Sequence, residues 1–474
     1  MFFVNFVSLQ LNSKRLHMYF ERHIDRYLDE WATKVVHKPL LLRGARQVGK
    51  STAVRHLGEK FDTFIEINLE KEPSYGELFK NDINIKRIVP QISVMSGLPV
   101  QPGKTLLFID EIQMCPEAIM ALRFFKEDMP ELHVVAAGSL LELVLQDIPT
   151  FGVGRIHSMF MYPMTFDEFL KANDEDKLIE MRNQSTPSNP LPDPIYKKIV
   201  NIFREYLLVG GMPEAVATWV RTHNYLECQE IQDDIIISYE DDFVKYKKKA
   251  NPTLLRNTLR SAALQIAKKF NCSAVRGDYR SAEIKQALEL LVLSGLLIPV
   301  TRTDANGIPL GSEADESYRK ILLLDSGILL RLLRLESVDV ESIATEILTA
   351  DNVDLVNKGT LTEMVAGLEM LRYKTPNIRH DLYYWTRNAK NSVAEIDYVG
   401  IHDQKVLPIE VKAGVQGGMK SLWLFMRGKH LSKAVRCSLE NFGILEYIGK
   451  EADNAVRQVT ICPLYSISQM SRLI

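Results

Sequence analysis

No stretch of the 474-residue chain approaches the roughly 18 consecutive apolar residues that a membrane-spanning helix needs, which excludes that class of protein. Cysteine is equally sparse. Cys115, Cys228, Cys272, Cys437 and Cys462 are scattered, odd in number and without C-x-x-C spacing, so neither a disulfide framework nor a zinc site follows, and a reducing cytoplasm is the expected setting. Charge of one sign is not in excess either: 58 Lys and Arg against 60 Asp and Glu leave -2, which argues against a globally basic nucleic-acid protein. The apolar start Met1-Phe2-Phe3-Val4-Asn5-Phe6-Val7 lacks the leading positive charge and small-residue cleavage site of a secretory signal. Met18-Tyr19-Phe20 makes a better fold start, so residues 1–17 are expected to be a disordered upstream extension. A hydrophobic content of 46% is ordinary, and the length supplies cores for about three domains.

The most specific signal is Gly44-Ala45-Arg46-Gln47-Val48-Gly49-Lys50-Ser51, a G-x-x-x-x-G-K-[ST] phosphate-binding loop. It follows the apolar run Pro39-Leu40-Leu41-Leu42 and opens a helical segment at Ser51-Thr52-Ala53-Val54, the strand-loop-helix context that the loop requires. Gly44 and Gly49 free the backbone to point several amides at one anion, and the helix N-terminus adds positive potential. ATP is therefore expected across Gly44, Val48, Gly49, Lys50, Ser51 and Thr52, with Lys50 on the β- and γ-phosphates and Ser51 on Mg²⁺.

Thr105-Leu106-Leu107-Phe108-Ile109-Asp110-Glu111 reads as a doubly buried parallel strand ending in two acids. Asp110 would share the Mg²⁺ shell with Ser51, and Glu111 would polarise the attacking water. Leu132-His133-Val134-Val135-Ala136-Ala137-Gly138-Ser139 reads as another buried strand, with the Ser139 hydroxyl either sensing the γ-phosphate or capping a helix. Arg155 beyond it is a candidate arginine finger, donated in cis or to a neighbouring subunit, or else an ordinary exposed arginine.

These residues carry a family likeness. Arg43 to Ser51, Asp110-Glu111-Ile112-Gln113, Ala137-Gly138-Ser139, Gly154-Arg155 with Tyr162-Pro163-Met164-Thr165-Phe166-Asp167-Glu168-Phe169, and Tyr206-Leu207-Leu208-Val209-Gly210-Gly211-Met212-Pro213-Glu214 together resemble a largely uncharacterised prokaryotic family of AAA-type ATPases. The resemblance spans nearly the whole chain and implies ATP binding and hydrolysis, with no settled biological task. Arg46 and Gln47 are typical of the family, without an evident chemical role.

After residue 165 helical periodicity replaces the strand-like runs, and a helical lid is expected over 166–250. Asn173 to Pro194, with Pro187, Pro190, Pro192 and Pro194, reads as an exposed loop. Between Lys245 and Lys285, eleven Lys and Arg face only Asp278 and Glu283, leaving +9 locally. Helices near Thr253–Phe270 and Ser281–Ser294, strands at Leu296–Thr301 and Arg319–Leu324, and an Asn306-Gly307 turn predict a winged helix over 251–330. Residues 245–285 would then meet double-stranded DNA through the helix starting at Ser281, the alternative being a solvated basic face on a packing module.

Residues 395–412 read as strand, turn and strand, which places Glu410 and Lys412 on one face and brings Asp397 beside them. Two carboxylates and a lysine are equipment for Mg²⁺-assisted phosphodiester cleavage. The pattern resembles the PD-(D/E)xK motif of restriction-endonuclease-like domains, with Glu363 matching the helical acid that often precedes it. Glu395-Ile396 stands where that motif has proline, and a same-face ion pair on a half-exposed strand is the plainer alternative.

The expected fold class is thus α/β: an AAA-type P-loop core with a parallel sheet over 18–165, the lid, the winged-helix region, and a restriction-endonuclease-like α/β domain over 331–474 that opens on an acidic helical connector at 331–360. The expected function is a cytoplasmic Mg²⁺-dependent ATPase acting as a molecular switch, with DNA association and self-association open. A nucleotide-regulated scaffold for a protein partner and an ATP-regulated nuclease are the alternatives.

Overall fold

The computed structural model describes residues 19–80, 82–139, 141–148, 154–247, 249–333, 358–389, 392–413, 418–448 and 456–474. The expected extension at 1–17 and all but the ends of the expected connector at 331–360 lie outside these residues. The chain divides into two compact units.

The first unit runs to Met164 and takes in Leu290–Leu296 and Thr375–Arg379. Its strands β1 (Leu40–Arg43), β2 (Thr63–Asn68), β3 (Thr105–Asp110), β4 (His133–Ala137) and β5 (His157–Phe160) form one parallel sheet in the order β2-β3-β4-β1-β5. Every residue of β3 and β4 is buried, which is why both read as unbroken apolar runs and not as alternating ones. The helix Lys50–Gly58 links β1 to β2, Pro73–Lys80 and Ile85–Ser96 link β2 to β3, and Pro116–Asp128 links β3 to β4. Leu107, Ile109, Leu122 and Phe125 anchor the core between sheet and helices. This is an α/β P-loop fold. β4 lies between the loop strand and the strand bearing Asp110, so the order reverses beside β1 and opens a crevice at the C-terminal strand ends.

The second unit holds Thr165–Glu289, Leu297–Lys374 and His380–Ile474. Helices Phe166–Ala172, Asp176–Gln184, Asp193–Val209, Pro213–Thr222, Tyr225–Asp242 and Pro252–Leu264 precede a mixed sheet. That sheet comprises β6 (Leu297–Thr303), β7 (Ala314–Leu323), β8 (Leu382–Ala389), β9 (Ser392–His402), β10 (Lys405–Val411), β11 (Lys433–Ser438), β12 (Gly443–Ile448) and β13 (Val456–Pro463), in the order β12-β13-β11-β10-β9-β8-β6-β7. The helix Lys358–Arg372 leads into the antiparallel meander β8-β9-β10, and the helix Lys420–Gly428 leads into β11, parallel to β10. Asp403 and Gln404 close the β9–β10 turn with φ of 47° and 58°, the left-handed pair that a two-residue hairpin demands.

Two expectations are corrected here. The segment read as an exposed loop contains the helix Asp176–Gln184, because Arg182, polar in sequence, is fully buried against Asp167 and the Tyr465 carbonyl. Asn306-Gly307 is not a tight turn: it sits in a longer connection in which Asn306 donates twice to Glu313 at 2.9 Å. β6 pairs with β7, as a hairpin should, and also in parallel with β8, so the hairpin is continuous with the larger sheet.

A histidine box fixes the start of β4. His133 is 4% exposed, bonds the Ala32 carbonyl at 3.0 Å, stacks on His37 at 3.9 Å and meets Trp31 and Phe61 edge-on. Burial, reinforced by His37, lowers its pKa to about 4. An unfolded histidine titrates near pH 6.5, so this depressed value supplies stability above that pH that is lost as pH falls toward 4. Between pH 7.5 and 4.5 the wild type should lose about 2 to 3 kcal/mol more than His133→Phe in denaturant titrations. Equal losses in the two proteins would refute this.

Candidate functional site

The loop after β1 is built on left-handed backbone: Gly44 has φ of 148°, Gln47 of 61° and Gly49 of 96°. A Cβ on Gly44 would stand 2.1 Å from the Met161 carbonyl oxygen, so only glycine passes there. Gln47, without a role in the sequence reading, is the left-handed residue of the loop's turn. Alternation of right- and left-handed backbone is what turns successive amides inward into an anion cup. The cup is pinned from a distance by Arg22, which bonds the Val48 carbonyl at 2.9 Å and that of Tyr162 at 2.7 Å. Val48 itself is fully buried, and Thr52 lies exposed in the first helical turn.

Lys50 is buried with its ammonium folded onto the loop, donating to the carbonyls of Gly44 at 2.9 Å and Ala45 at 2.7 Å. Burial lowers its pKa to about 8, Glu111 and Asp110 pull it up, and Arg46 pushes it down further. The Ser51 hydroxyl donates to Asp110 Oδ2 at 2.9 Å. Two oxygens bound at right angles to one Mg²⁺ sit about 3 Å apart, so this pair fits the ion. Burial raises the Asp110 carboxyl, opposed chiefly by that hydroxyl.

Glu111 occupies a left-handed conformation, φ 49°, uncommon for this residue type and the kind of strain that concentrates at working sites. Its Oε2 accepts from Gln113 Nε2 at 2.5 Å and from the Ser139 hydroxyl at 3.4 Å. Lys50, Ser51, Asp110, Glu111 and Ser139 are thus brought together. Gln113 was missed as a working residue, although a Cβ on Gly138 would stand 2.0 Å from its Oε1, so Gly138 makes room for it. Arg43 and Glu142, bonded through two nitrogens, were also missed; nothing in their spacing of ninety-nine residues announces a pair.

Arg155 is not brought to this group. It pairs with Glu127, in the last turn of the helix Pro116–Asp128. That helix starts beside Asp110 and runs back for about 20 Å, so its end lies toward the opposite edge of the sheet.

In the second unit Glu363, Asp397, Glu410 and Lys412 do converge, together with Lys320 and Glu395, which the sequence reading left out. Lys320, on β7 and 2% exposed, reaches Glu363 at 2.8 Å and Glu395 at 2.6 Å. Lys412 bonds Glu410 at 2.5 Å, and Asp397 accepts from the Val411 amide at 2.7 Å. Burial raises Glu363 to about 8 and Glu410 to about 7 and lifts Asp397 too; Lys320 opposes all three shifts and is itself raised by Glu363, Glu395 and Asp397.

Comparison with known proteins bears on each unit. Residues 36–170 match the model of an AAA domain, which includes the loop, Asp110, Glu111, Ser139 and Arg155. These residues thus form a P-loop domain of the AAA type. Residues 200–339 and 358–467 match two domains of unknown function. An uncharacterized protein of Methanocaldococcus jannaschii is 25% identical over 265 residues, 52% of this chain and 54% of that protein, so the chain spans about half the length of this curated relative. Among solved structures, the Walker-type ATPase of Pyrococcus abyssi is 16% identical, with TM-score 0.42, covering 66% of this chain and 96% of its own. A RuvB variant of Thermotoga maritima is 15% identical, with TM-score 0.30, covering 59% and 89%. The assignment of the ATPase domain rests on the family match and on the strand order, not on these partial overlaps.

Within this domain, the bonds that Gln113 and Ser139 make to Glu111 Oε2 fix where that carboxylate points. With Glu111 as the expected general base, Gln113→Ala and Ser139→Ala should each lower kcat for ATP about 10- to 100-fold with KM nearly unchanged, because the lost bond would aim that base and its loss leaves the anion cup intact. A rise in KM with kcat preserved would place them in nucleotide binding instead.

Proposed function

We propose that the protein is a Mg²⁺-dependent ATPase that works as a nucleotide-driven molecular switch in the cytoplasm and contacts double-stranded DNA through residues 245–285. The contact between Ser51 and Asp110 carries the catalytic half of this reading, since it holds hydroxyl and carboxylate oxygens at the spacing of two ligands on one ion. Ser51 and Asp110 would hold the Mg²⁺, which would supply positive charge against the charge that develops on the β- and γ-phosphates. Lys50 exchanges the Gly44 and Ala45 carbonyls for those phosphates. Glu111, aimed by Gln113 and Ser139, takes the proton of the attacking water. Among the described residues no helix is long and apolar enough to cross a membrane, and the five cysteines are free thiols, in keeping with a reducing compartment.

The DNA half rests on exposed cations. Lys247, Lys268, Lys269, Arg276, Arg280 and Lys285 are all exposed, whereas Lys245, Arg256 and Arg260 have acidic partners in Asp242 and Glu240. Two helices followed by the β6–β7 hairpin support a winged-helix reading of 251–330. The succession of the helix Lys358–Arg372, the meander β8-β9-β10, the helix Lys420–Gly428 and β11 supports a restriction-endonuclease-like reading of 331–474.

ATP turnover with and without double-stranded DNA, at about 50 and 200 mM salt, tests both halves. Lys50→Ala should remove turnover under every condition; persistence would sink the ATPase reading. DNA should stimulate the wild type at low salt, and the stimulation should fade at high salt as counterion release loses its drive. Turnover indifferent to DNA at both salts would leave a nucleotide-regulated scaffold.

A further inference from the structure

We propose that the Lys320 ammonium is a built-in counter-cation of the C-terminal carboxylate cluster, holding Glu363 and Glu395 beside the Asp397 and Glu410 carboxylates at which a metal-dependent phosphodiesterase would hold a divalent ion. The second unit of the wild type then neither takes up metal there nor cleaves DNA through it. The inference rests on the restriction-endonuclease-like reading of residues 331–474 and is independent of the ATPase reading.

The carboxylates come from the elements that such a site would use: Glu363 from the helix Lys358–Arg372, Glu395 and Asp397 from β9, and Glu410 from β10. Lys320 comes from none of them. It enters from β7, at the edge of the sheet, with its side chain almost wholly buried and its ammonium 4.9 Å from the Tyr384 ring centroid. At its tip it contacts two carboxylates from two different elements, Glu363 at 2.8 Å and Glu395 at 2.6 Å, as an inner-sphere ion would. A lysine head is a compact point charge on a flexible stem, the side chain best suited to replace a small cation.

A hard divalent ion requires several oxygen donors free to converge on it, and an ammonium already among them repels it. Among the described residues no group of three or more His, Cys, Asp and Glu is arranged to hold a metal. Two of the four carboxylates are bonded to Lys320, so they are not free to turn toward an ion. Glu410 retains a buried Oε2 with no hydrogen-bond partner, while its other oxygen is held by Lys412. Without the ammonium, that oxygen and its neighbour Asp397, with Glu363 and Glu395 released from Lys320, would offer an oxygen-rich set of the kind Mg²⁺ and Mn²⁺ accept.

The test uses the full chain carrying Asp110→Asn, which silences the nucleotide site, with bound Mn²⁺ read from the electron paramagnetic resonance signal of the free ion. Adding Asp397→Asn should leave Mn²⁺ binding unchanged, since the cluster holds none. Lys320→Met should gain one ion at least tenfold more tightly than its parent, and the gain should vanish when Asp397→Asn is added. A parent that loses an ion on Asp397→Asn overturns the role of Lys320 while leaving the endonuclease-like reading standing. A folded Lys320→Met that gains no ion overturns both. If Lys320→Met does not fold, the comparison of the parent with its Asp397→Asn form decides alone. ATP turnover of Lys320→Met with Asp110 intact reports separately on the ATPase reading.

Discussion

The hydrogen bond from Ser51 to Asp110 is the contact to which the first unit is built, and its difficulty is geometric. The two residues belong to segments separated by a whole strand, since β4 lies between β1 and β3. Register solves the problem. Leu41, Ala136 and Ile109 lie in one row across β1, β4 and β3, so the next row brings Asp110 level with Ala137 and Leu42. From there the glycine loop rises over the strand ends and the helix beginning at Lys50 returns Ser51 to the acid. The row itself has no exposed surface, and a one-residue slip would turn its side chains to the wrong faces. Burial of apolar side chains thus sets, at no cost to the chemistry, the position of the two oxygens.

The second unit is held by charge as much as by apolar packing. Thr165 and Glu168 form a reciprocal cap on the helix Phe166–Ala172, Asp167 grips the fully buried Arg182, and the Phe166 amide donates to Glu369 at 3.0 Å. Glu369 also accepts from Tyr206 at 2.7 Å, whose hydroxyl is in turn reached by Arg372. Asp325 receives the Gly211 amide at 2.6 Å, and a Cβ on Gly210 would stand 2.1 Å from its carboxylate. Removing one partner from such a pair strands a buried charge, at a cost of roughly 3 to 5 kcal/mol. The two motifs around Phe166 and Gly210 that carry part of the family likeness thus include residues that close bonds within this unit: Thr165, Asp167 and Glu168 in the first, Tyr206 and Gly211 in the second.

What was legible in the sequence was what is local. The loop, Asp110, Glu111 and Ser139 could be placed because strands buried on both faces read as unbroken apolar runs and the loop's glycines are fixed in spacing. The β9–β10 pairing was legible because side chains alternate along strands. What was not legible came from far away in the chain: Arg22 on the Val48 carbonyl, Arg43 on Glu142, Lys320 on Glu363 and Glu395. Arg182 lies in the segment that its prolines mark as a loop, and its burial depends on Asp167 and Tyr465, neither of which that segment contains. Gln113 was in view within the Asp110-Glu111 segment, yet its role depends on Glu111 turning left-handed, which no pattern of residue types discloses.

Two buried lysines, one in each unit, differ in the partners that burial leaves them. Lys50 and Lys320 are both nearly inaccessible, and water is lost to both ammonium groups. Lys50 donates to two neutral carbonyls, and its carboxylate neighbours do not make up for desolvation, so its pKa falls to about 8. Lys320 is bonded to two carboxylates, and its proton is held more tightly than in water. A desolvated cation bonded only to dipoles gains most from an arriving anion, because the desolvation has been met in folding while the Coulomb attraction of a direct contact remains to be gained. A cation already between two anions gains nothing from a third and excludes a second cation. The opposite shifts of these two residues follow from that difference in partners.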